Sequence, residues 1–311
     1  MQISPTPVRA CGNLLVKMEA MQPASSHKAR AARHILRRAI ADGKLTPGGP
    51  VRLLEKSGGN LGVGLAYEAS RYGISVDLVI GLSFSRTKRA LCEQYGARVV
   101  HEDWLRDGMT PKEVIAQLID EAPERFFFSD QFANEANLQA HLTETGPELA
   151  EQIAQVLEPG QELILVKGAG TGASFQGIAT RLRERFEGVS CQLVMPQGCD
   201  LVTDTFSEHP LEGFAVGVKP PFLDLGLVDV THYVSASDAA AGQAAMARDL
   251  GFFPGITSGA NYATAKRIAA ENPKALVATL AYDSGESYLG SALLRDAEAA
   301  SRAQDKVLQD A

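Results

Sequence analysis

Cysteine is scarce in this chain of 311 residues. The four that occur, Cys11, Cys92, Cys191 and Cys199, are scattered without a CxxC pair, so the sequence indicates neither a zinc site nor a disulfide framework, and a reducing cytoplasm fits it. Positive charge is not in excess either. Thirty lysines and arginines face 37 acidic residues, a formal net charge of −7; a nucleic-acid or anionic-membrane partner would require a basic face, so neither is expected. No apolar run reaches the ~18 residues of a membrane span. The opening "MQISPTPVRACGN" lacks the basic stretch and apolar run of a secretory signal, so neither secretion nor insertion is expected. Repeats, low-complexity segments and charge blocks are also missing, and no linker shows where to divide the chain. What is there is an ordinary globular composition, 45% hydrophobic and 22% charged, in a chain long enough for two domains or one large α/β domain. A small molecule is the partner that remains.

Short apolar runs alternate with longer amphipathic stretches. "LLVKM" (14–18), "VRLLE" (51–55), "VDLVI" (76–80), "ARVV" (97–100), "RFFF" (125–128), "ELILV" (162–166), "CQLVM" (191–195) and "ALVATLA" (275–281) read as buried strands. Between them, Leu149, Ile153, Val156 and Leu157 are spaced to share one helix face. This alternation predicts parallel sheets covered by helices, an α/β fold. The polar, helix-prone tail "AEAASRAQDKVLQDA" suits a terminal surface helix or a frayed end.

Four loops rich in glycine and hydroxyls carry the chemical signal. "VKGAGTGASFQG" (166–177) follows the run "ELILV" and precedes a helical stretch. Gly168, Gly170 and Gly172 let the backbone approach a bound group, the helix start offers unpaired N–H groups, and Thr171 and Ser174 add hydroxyl donors, an arrangement that suits a phosphate. A tight turn without a ligand would use the same glycines. A dinucleotide loop is a rival reading. Against it, Ala173 stands where a third glycine would, and the next strand, "CQLVMPQG", ends in Pro196 and Gln197 rather than in an acid for a ribose.

"EKSGGNLGVGLAYEASRYG" (55–73) is a second strand–loop–helix junction, where Asn60 can orient a ring substituent or cap the helix. "GITSGANYATAKRIA" (255–269) and "AYDSGESYLG" (281–290) complete the set. Loops of this kind converge at one edge of an α/β sheet, where such folds bind ligands. "SSHKAR" (25–30) sets Lys28 just before an amphipathic stretch, and taken alone it reads as a solvated charge.

Taken together and in order, these segments resemble a known family. "QPASSHKAR" is similar to NPxxSxKDR, "KSGGNLG" to TSGNTG, "DQFANEANLQAHLTETGPEL" to QQFSNPANPxxHxxTTGPEI, and "GAGTGASFQG" to GxGTGGTxxG. "PPFLDLGLVD" resembles a segment ending NLDxxLVD, "GITSGAN" resembles GISSGAA, and "DSGESYL" resembles SSGERYL. The family is that of the cysteine synthases, fold-type-II pyridoxal-phosphate enzymes that include O-acetylserine sulfhydrylases and the catalytic part of cystathionine β-synthases.

The resemblance implies two open, twisted, mostly parallel sheets flanked by helices. A larger domain from residues 1–24 and 135–311 and a smaller mobile one from 25–134 would hold pyridoxal 5'-phosphate between them, in a homodimer. It implies that Lys28 forms the Schiff base with the cofactor aldehyde and, once freed, serves as general base at Cα. Asn60 would meet the ring hydroxyl, Gly170, Thr171, Gly172 and Ser174 the phosphate, and Ser258 the pyridine nitrogen. Ser57, Gly58, Gly59 and Gln131 would hold the substrate carboxylate.

A hydroxyl beside the ring nitrogen cannot keep it protonated as a carboxylate would, which disfavours transamination. β-Replacement on an activated L-serine, O-acetylserine or O-phosphoserine, through an α-aminoacrylate remains, most simply with sulfide to give cysteine. Synthesis of another β-substituted alanine such as 2,3-diaminopropionate, or β-elimination, stands as an alternative. A nucleotide-binding oxidoreductase and a catalytically silent binding homologue are alternatives from other classes.

The departures from the family pattern fall mostly on the substrate side. Gly58 replaces a serine of the substrate loop, Leu61 a threonine, Ala29 an aspartate and Ala173 a phosphate-loop glycine. Lys219, in "GVKPPF", stands where the family has the small-residue loop GIGAGF. If that loop borders the cavity mouth, Lys219 offers a positive charge to a phosphorylated leaving group or an anionic nucleophile.

Overall fold

The computed structural model describes residues 4–82, 85–211, 213–214 and 217–288, so the expectation of a C-terminal surface helix lies outside the described residues. The chain opens with a hairpin of β1 (Val8–Cys11) and β2 (Leu14–Lys17), turning at Gly12 with φ 62°. It then leaves to build β3 (Arg52–Glu55), β4 (Val76–Leu78), β5 (Arg98–Val99) and β6 (Phe126–Phe128). It returns for β7 (Leu163–Gly168), β8 (Val189–Pro196), β9 (Val230–Val234) and β10 (Leu276–Leu280). One sheet has the order β1-β2-β10-β7-β8-β9 and is parallel except for β1; the other, β5-β4-β3-β6, is wholly parallel.

Each of the eight apolar runs holds a strand. β2 and β7 are buried at every position, as interior strands of a parallel sheet covered on both faces must be. β1 and β9 are the strands the pattern does not signal. They are the outer edges of the larger sheet, where Val230 and Tyr233 stay 42% and 48% exposed and no continuous apolar run is needed.

The helices are α1 (Lys28–Ala41), α2 (Asn60–Ser70), α3 (Arg86–Gln94), α4 (Glu102–Arg106), α5 (Pro111–Glu121), α6 (Glu135–Ala140), α7 (Gly146–Ala154), α8 (Ala173–Arg185), α9 (Ala236–Leu250) and α10 (Ile256–Glu271). Successive residues of β3 show how the smaller sheet is sandwiched. Leu53 joins Ile35 and Leu36 of α1 and Leu65 of α2, whereas Leu54, pointing the other way, joins Val114, Ile115 and Leu118 of α5. Each such leucine taken fully out of water stabilises the fold by roughly 1.5–3 kcal/mol.

The helix expected over Leu149–Leu157 stops at Ala154. Leu149 and Ile153 are buried and Leu157 packs against the same core, but Val156 is 51% exposed; the Leu157 N–H still donates to Ile153 O at 2.9 Å, and Pro159, which has no N–H, lets the helix go no further. Among the described residues no helix is long and apolar enough to cross a membrane, and no cluster of His, Cys, Asp and Glu could hold a metal.

Candidate active site

Because the parallel strands all point the same way within each sheet, the loops that follow β3, β6, β7, β8 and β10 meet beside the start of α1. They enclose a cavity of about 640 Å³. Lys28, Ser57, Gly59, Asn60 and Gln131 line it, as do Gly170, Thr171, Gly172 and Ser174. These nine come from four separated segments of the chain, so the convergence is a property of the fold and not of local sequence.

Lys28 is the first residue of α1, and the chain enters that helix through a strained turn. Ala24 and Ser25 both adopt left-handed conformations, φ 58° and 53°, which cost non-glycine residues roughly 1–2 kcal/mol each. Hydrogen bonds hold the turn in place. The His27 N–H donates to Tyr282 O at 2.9 Å, and the Lys28 N–H donates to Ser26 Oγ at 3.2 Å. The His27 ring lies 4.8 Å from that of Tyr282, centroid to centroid, with its buried Nδ1 lacking a hydrogen-bond partner. Burial, and then the charges of Lys28, Lys167 and Arg30, push the His27 imidazole well below its ordinary range, so it is neutral.

The amines are displaced as well. Burial pushes the Lys28 ammonium down to about 8, partly offset by Glu55. Glu55, at the end of β3, is itself pushed up to about 7 by burial, although the Ser129 hydroxyl donates to it at 2.7 Å and the Lys56 N–H at 3.0 Å. Lys167, at the end of β7 and fully buried, is pushed down to about 7 by burial and by the charge of Lys28. Two amines that hold a proton loosely therefore stand at one cavity.

The opposite wall is the start of α8. Gly172 has φ 86°, and a Cβ there would meet Leu223 N at 2.7 Å, so only glycine fits this turn. The first N–H groups of a helix have no acceptor within it. The hydroxyls beside them are set as donors. Thr171 Oγ1 accepts from Asn137 Nδ2 at 3.3 Å and from the Ala173 N–H at 3.4 Å, and Ser174 Oγ accepts from Lys167 Nζ at 2.9 Å. Each hydroxyl has its own hydrogen left to give. Across the cavity Asn60 Nδ2 donates to Asp283 Oδ2 at 2.6 Å, with a second amide hydrogen to spare. A close approach holds the loop before it. A Cβ at Gly62 would lie 2.2 Å from Ser57 O, so the substrate-loop backbone can fold onto α2 only over a glycine.

Three expected residues do not line the cavity. Ser258 is fully buried and its hydroxyl accepts the Tyr282 N–H at 2.8 Å, which leaves it no position on the wall; Thr257, one residue earlier, is there instead. Gly58 is buried in its loop, and Lys219 is exposed, two residues beyond Gly217, which does line the cavity. The sequence gives no role to Lys56, His27 and Tyr282, which line the cavity, or to Lys167, which lies beneath its wall, and it gives the ring nitrogen to Ser258 and not to its neighbour Thr257. A lysine inside the buried run "ELILVKG" was the one signal available for the last.

Residues 1–282 match the family model described as "Pyridoxal-phosphate dependent enzyme". The cysteine synthase of Haemophilus influenzae is 28% identical over 297 residues, covering 92% of each chain. Among solved structures, an O-ureido-L-serine synthase superposes with a TM-score of 0.82 at 28% identity, over 94% of this chain and 92% of that one. O-acetylserine sulfhydrylase isoform 3 from Entamoeba histolytica superposes with a TM-score of 0.84 at 26% identity, over 94% and 90%.

Proposed function

The chain belongs to the pyridoxal-phosphate dependent enzymes, and from that premise we propose that it performs β-replacement on an activated L-serine, most simply O-acetylserine with sulfide to give cysteine. The donor set fits the cofactor. It offers an amine with a loosely held proton at Lys28, and facing it hydroxyls and helix N–H groups suited to a phosphate dianion. Lys28 is the observation that carries the reading, since a buried, partly neutral amine is what both carbonyl capture and proton transfer require.

When bound, the cofactor supplies an electrophilic carbon and an electron-accepting ring. The chain does the rest. Thr171, Ser174 and the first turn of α8 bind the phosphate, and the free Asn60 amide hydrogen holds the ring oxygen. Thr257, not Ser258, offers its hydroxyl to the ring nitrogen. The substrate carboxylate is received by Ser57, Gly59 and Gln131. Lys28, which lines the cavity, takes the proton from the substrate Cα in its neutral form and returns it at the end of the cycle. We further propose that the segments 1–24 with 135–311 and 25–134 act as two domains closing on the cavity, and that the enzyme is a homodimer.

A second reading keeps the same first half and changes the nucleophile. It is favoured by the O-ureido-L-serine synthase fold match and by a substrate loop that carries Lys56 at the cavity and Gly58 in place of a hydroxyl. The experiment is a substrate panel on purified enzyme: O-acetylserine and O-phosphoserine as donors, sulfide, hydroxyurea and ammonia as nucleophiles, with amino-acid products identified by mass. Cysteine as the dominant product supports the first reading, and a different β-substituted alanine supports the second. No turnover of either donor by cofactor-loaded protein overturns both.

A further inference from the structure

Lys17, Arg30 and Arg33 are buried cations that each have a carboxylate within 4 Å. Lys167 is just as buried, at 0% exposed, and has none among the described residues. Its ammonium donates to Gly168 O at 3.1 Å and to Ser174 Oγ at 2.9 Å, and sits 5.5 Å from the ring centroids of Phe175 and Tyr282. A hydrophobic side chain would fill this place in the β7 strand at no electrostatic cost, whereas an ammonium taken from water without a counter-charge is strongly disfavoured. The missing partner is an anion. Among the described residues Ser174 is the one cavity-lining side chain to which the ammonium donates a hydrogen bond, so the Ser174 oxygen is already occupied by that ammonium and its hydrogen is left to give.

We propose that Lys167 is the counter-cation of the cofactor phosphate. It stands one layer behind Ser174, polarises that hydroxyl as a donor and, held protonated by the bound dianion, adds a positive charge to a loop whose other donors are neutral amides and hydroxyls. The proposal deepens the reading of Gly170–Ser174 as the phosphate wall and rests on it. Lys167 is a positioning residue in this role, since it acts through Ser174 without touching the reacting atoms. Its chemistry selects a dianionic phosphomonoester over the same molecule without phosphate.

The test compares equilibrium binding of pyridoxal 5'-phosphate and of pyridoxal, which lacks the phosphate, to apoprotein, followed by absorbance. Wild type is set beside Lys167→Met, Lys167→Gln and Lys167→Arg, the second variant keeping a hydrogen-bond donor without charge should the first fail to fold. Lys167→Met and Lys167→Gln are expected to weaken pyridoxal 5'-phosphate by about tenfold or more while leaving pyridoxal within about twofold, and Lys167→Arg to restore most of the loss. Equal weakening of both ligands would make Lys167 a packing residue and overturn the proposal, as would no change in either. Inorganic phosphate is the second probe. It should compete with pyridoxal 5'-phosphate for the wild-type apoprotein. Its failure to compete there would overturn the phosphate wall itself, a result distinguishable from failure of Lys167 alone.

Discussion

α1 takes part in two charged regions that treat buried cations in opposite ways. Arg30 and Arg33 belong to a cluster in which every buried cation meets a carboxylate. Arg30 contacts Glu19 at 2.8 Å and Glu148 at 2.8 Å, Arg33 pairs with Glu144, and Lys17 of β2 contacts Glu148 at 2.6 Å and Gln152 at 2.8 Å. Lys28, at the start of the same helix, and Lys167 have no carboxylate within salt-bridge distance among the described residues. Burial lowers the Lys17 ammonium too, but Glu19 and Glu148 act against it. In the cavity only Glu55 acts against the fall of Lys28, and Lys167 has no such support. Cations desolvated with partners hold the fold, and cations desolvated without partners are kept for a ligand or a proton transfer.

The division can be broken from either side. Lys28→Ala should lower kcat by about 10³-fold or more, since it removes both the covalent attachment and the base. Its thermal midpoint should not fall, because a poorly solvated ammonium is lost with it; calorimetry beside steady-state kinetics checks the pair. Glu148→Gln should do the reverse. Leaving Lys17 and Arg30 short of a carboxylate should cost roughly 3–5 kcal/mol in denaturant unfolding with kcat/KM held within about twofold. A variant there that lost activity but not stability would show the cluster to be part of the site.

The pH dependence sharpens the comparison. Lys28 acts as a base only when neutral, so kcat should rise about tenfold per unit as pH increases and level off near 8. Glu55 favours the charged amine, so Glu55→Gln should move that plateau to lower pH. Glu55 also makes its own contribution to stability. Its folded value, about 7, is raised above the ordinary 4.5, so the stabilisation is full below the ordinary value and is lost as pH rises through 7. Glu55→Gln should flatten that loss in a series of unfolding curves.

Smaller effects separate neighbours. Ser258→Ala orphans the Tyr282 N–H and should cost about 1–3 kcal/mol of stability, whereas Thr257→Ala should leave stability alone and alter the pH titration of the bound cofactor's absorbance. The smallest effect expected is that of Lys219→Ala. Exposed and off the cavity wall, it should leave kcat/KM unchanged for O-acetylserine and for O-phosphoserine alike.

The interior of the fold was legible because parallel strands buried on both faces need continuous apolar runs, and all eight runs became strands. The edge strands β1 and β9 were not, since an edge can stay half wet. The cavity was legible where glycine and hydroxyl loops follow strands, and nine of the expected residues reached its wall. Ser258 and Thr257 could not be told apart along the chain. Successive residues at a helix start point about 100° apart, so a one-residue difference decides between core and cavity. Lys167 stayed hidden because its importance lies in a missing partner, and an absence in space leaves no trace in a linear pattern. Lys219 is exposed and is not among the residues lining the cavity, although Gly217 of the same loop is, a distinction that the motif "GVKPPF" does not carry.

The larger sheet joins the two ends of the described chain, with Lys17 of β2 in register with Leu280 of β10. During synthesis β2 therefore waits for a neighbour that emerges roughly 260 residues later, on the order of ten to fifty seconds at ribosomal speeds. The all-parallel sheet of β3 to β6 closes within residues 52–128 and can be complete long before. The nascent protein thus presents a finished small sheet beside an unfinished large one, with the β1–β2 hairpin's inner edge open to any competing strand until β10 emerges.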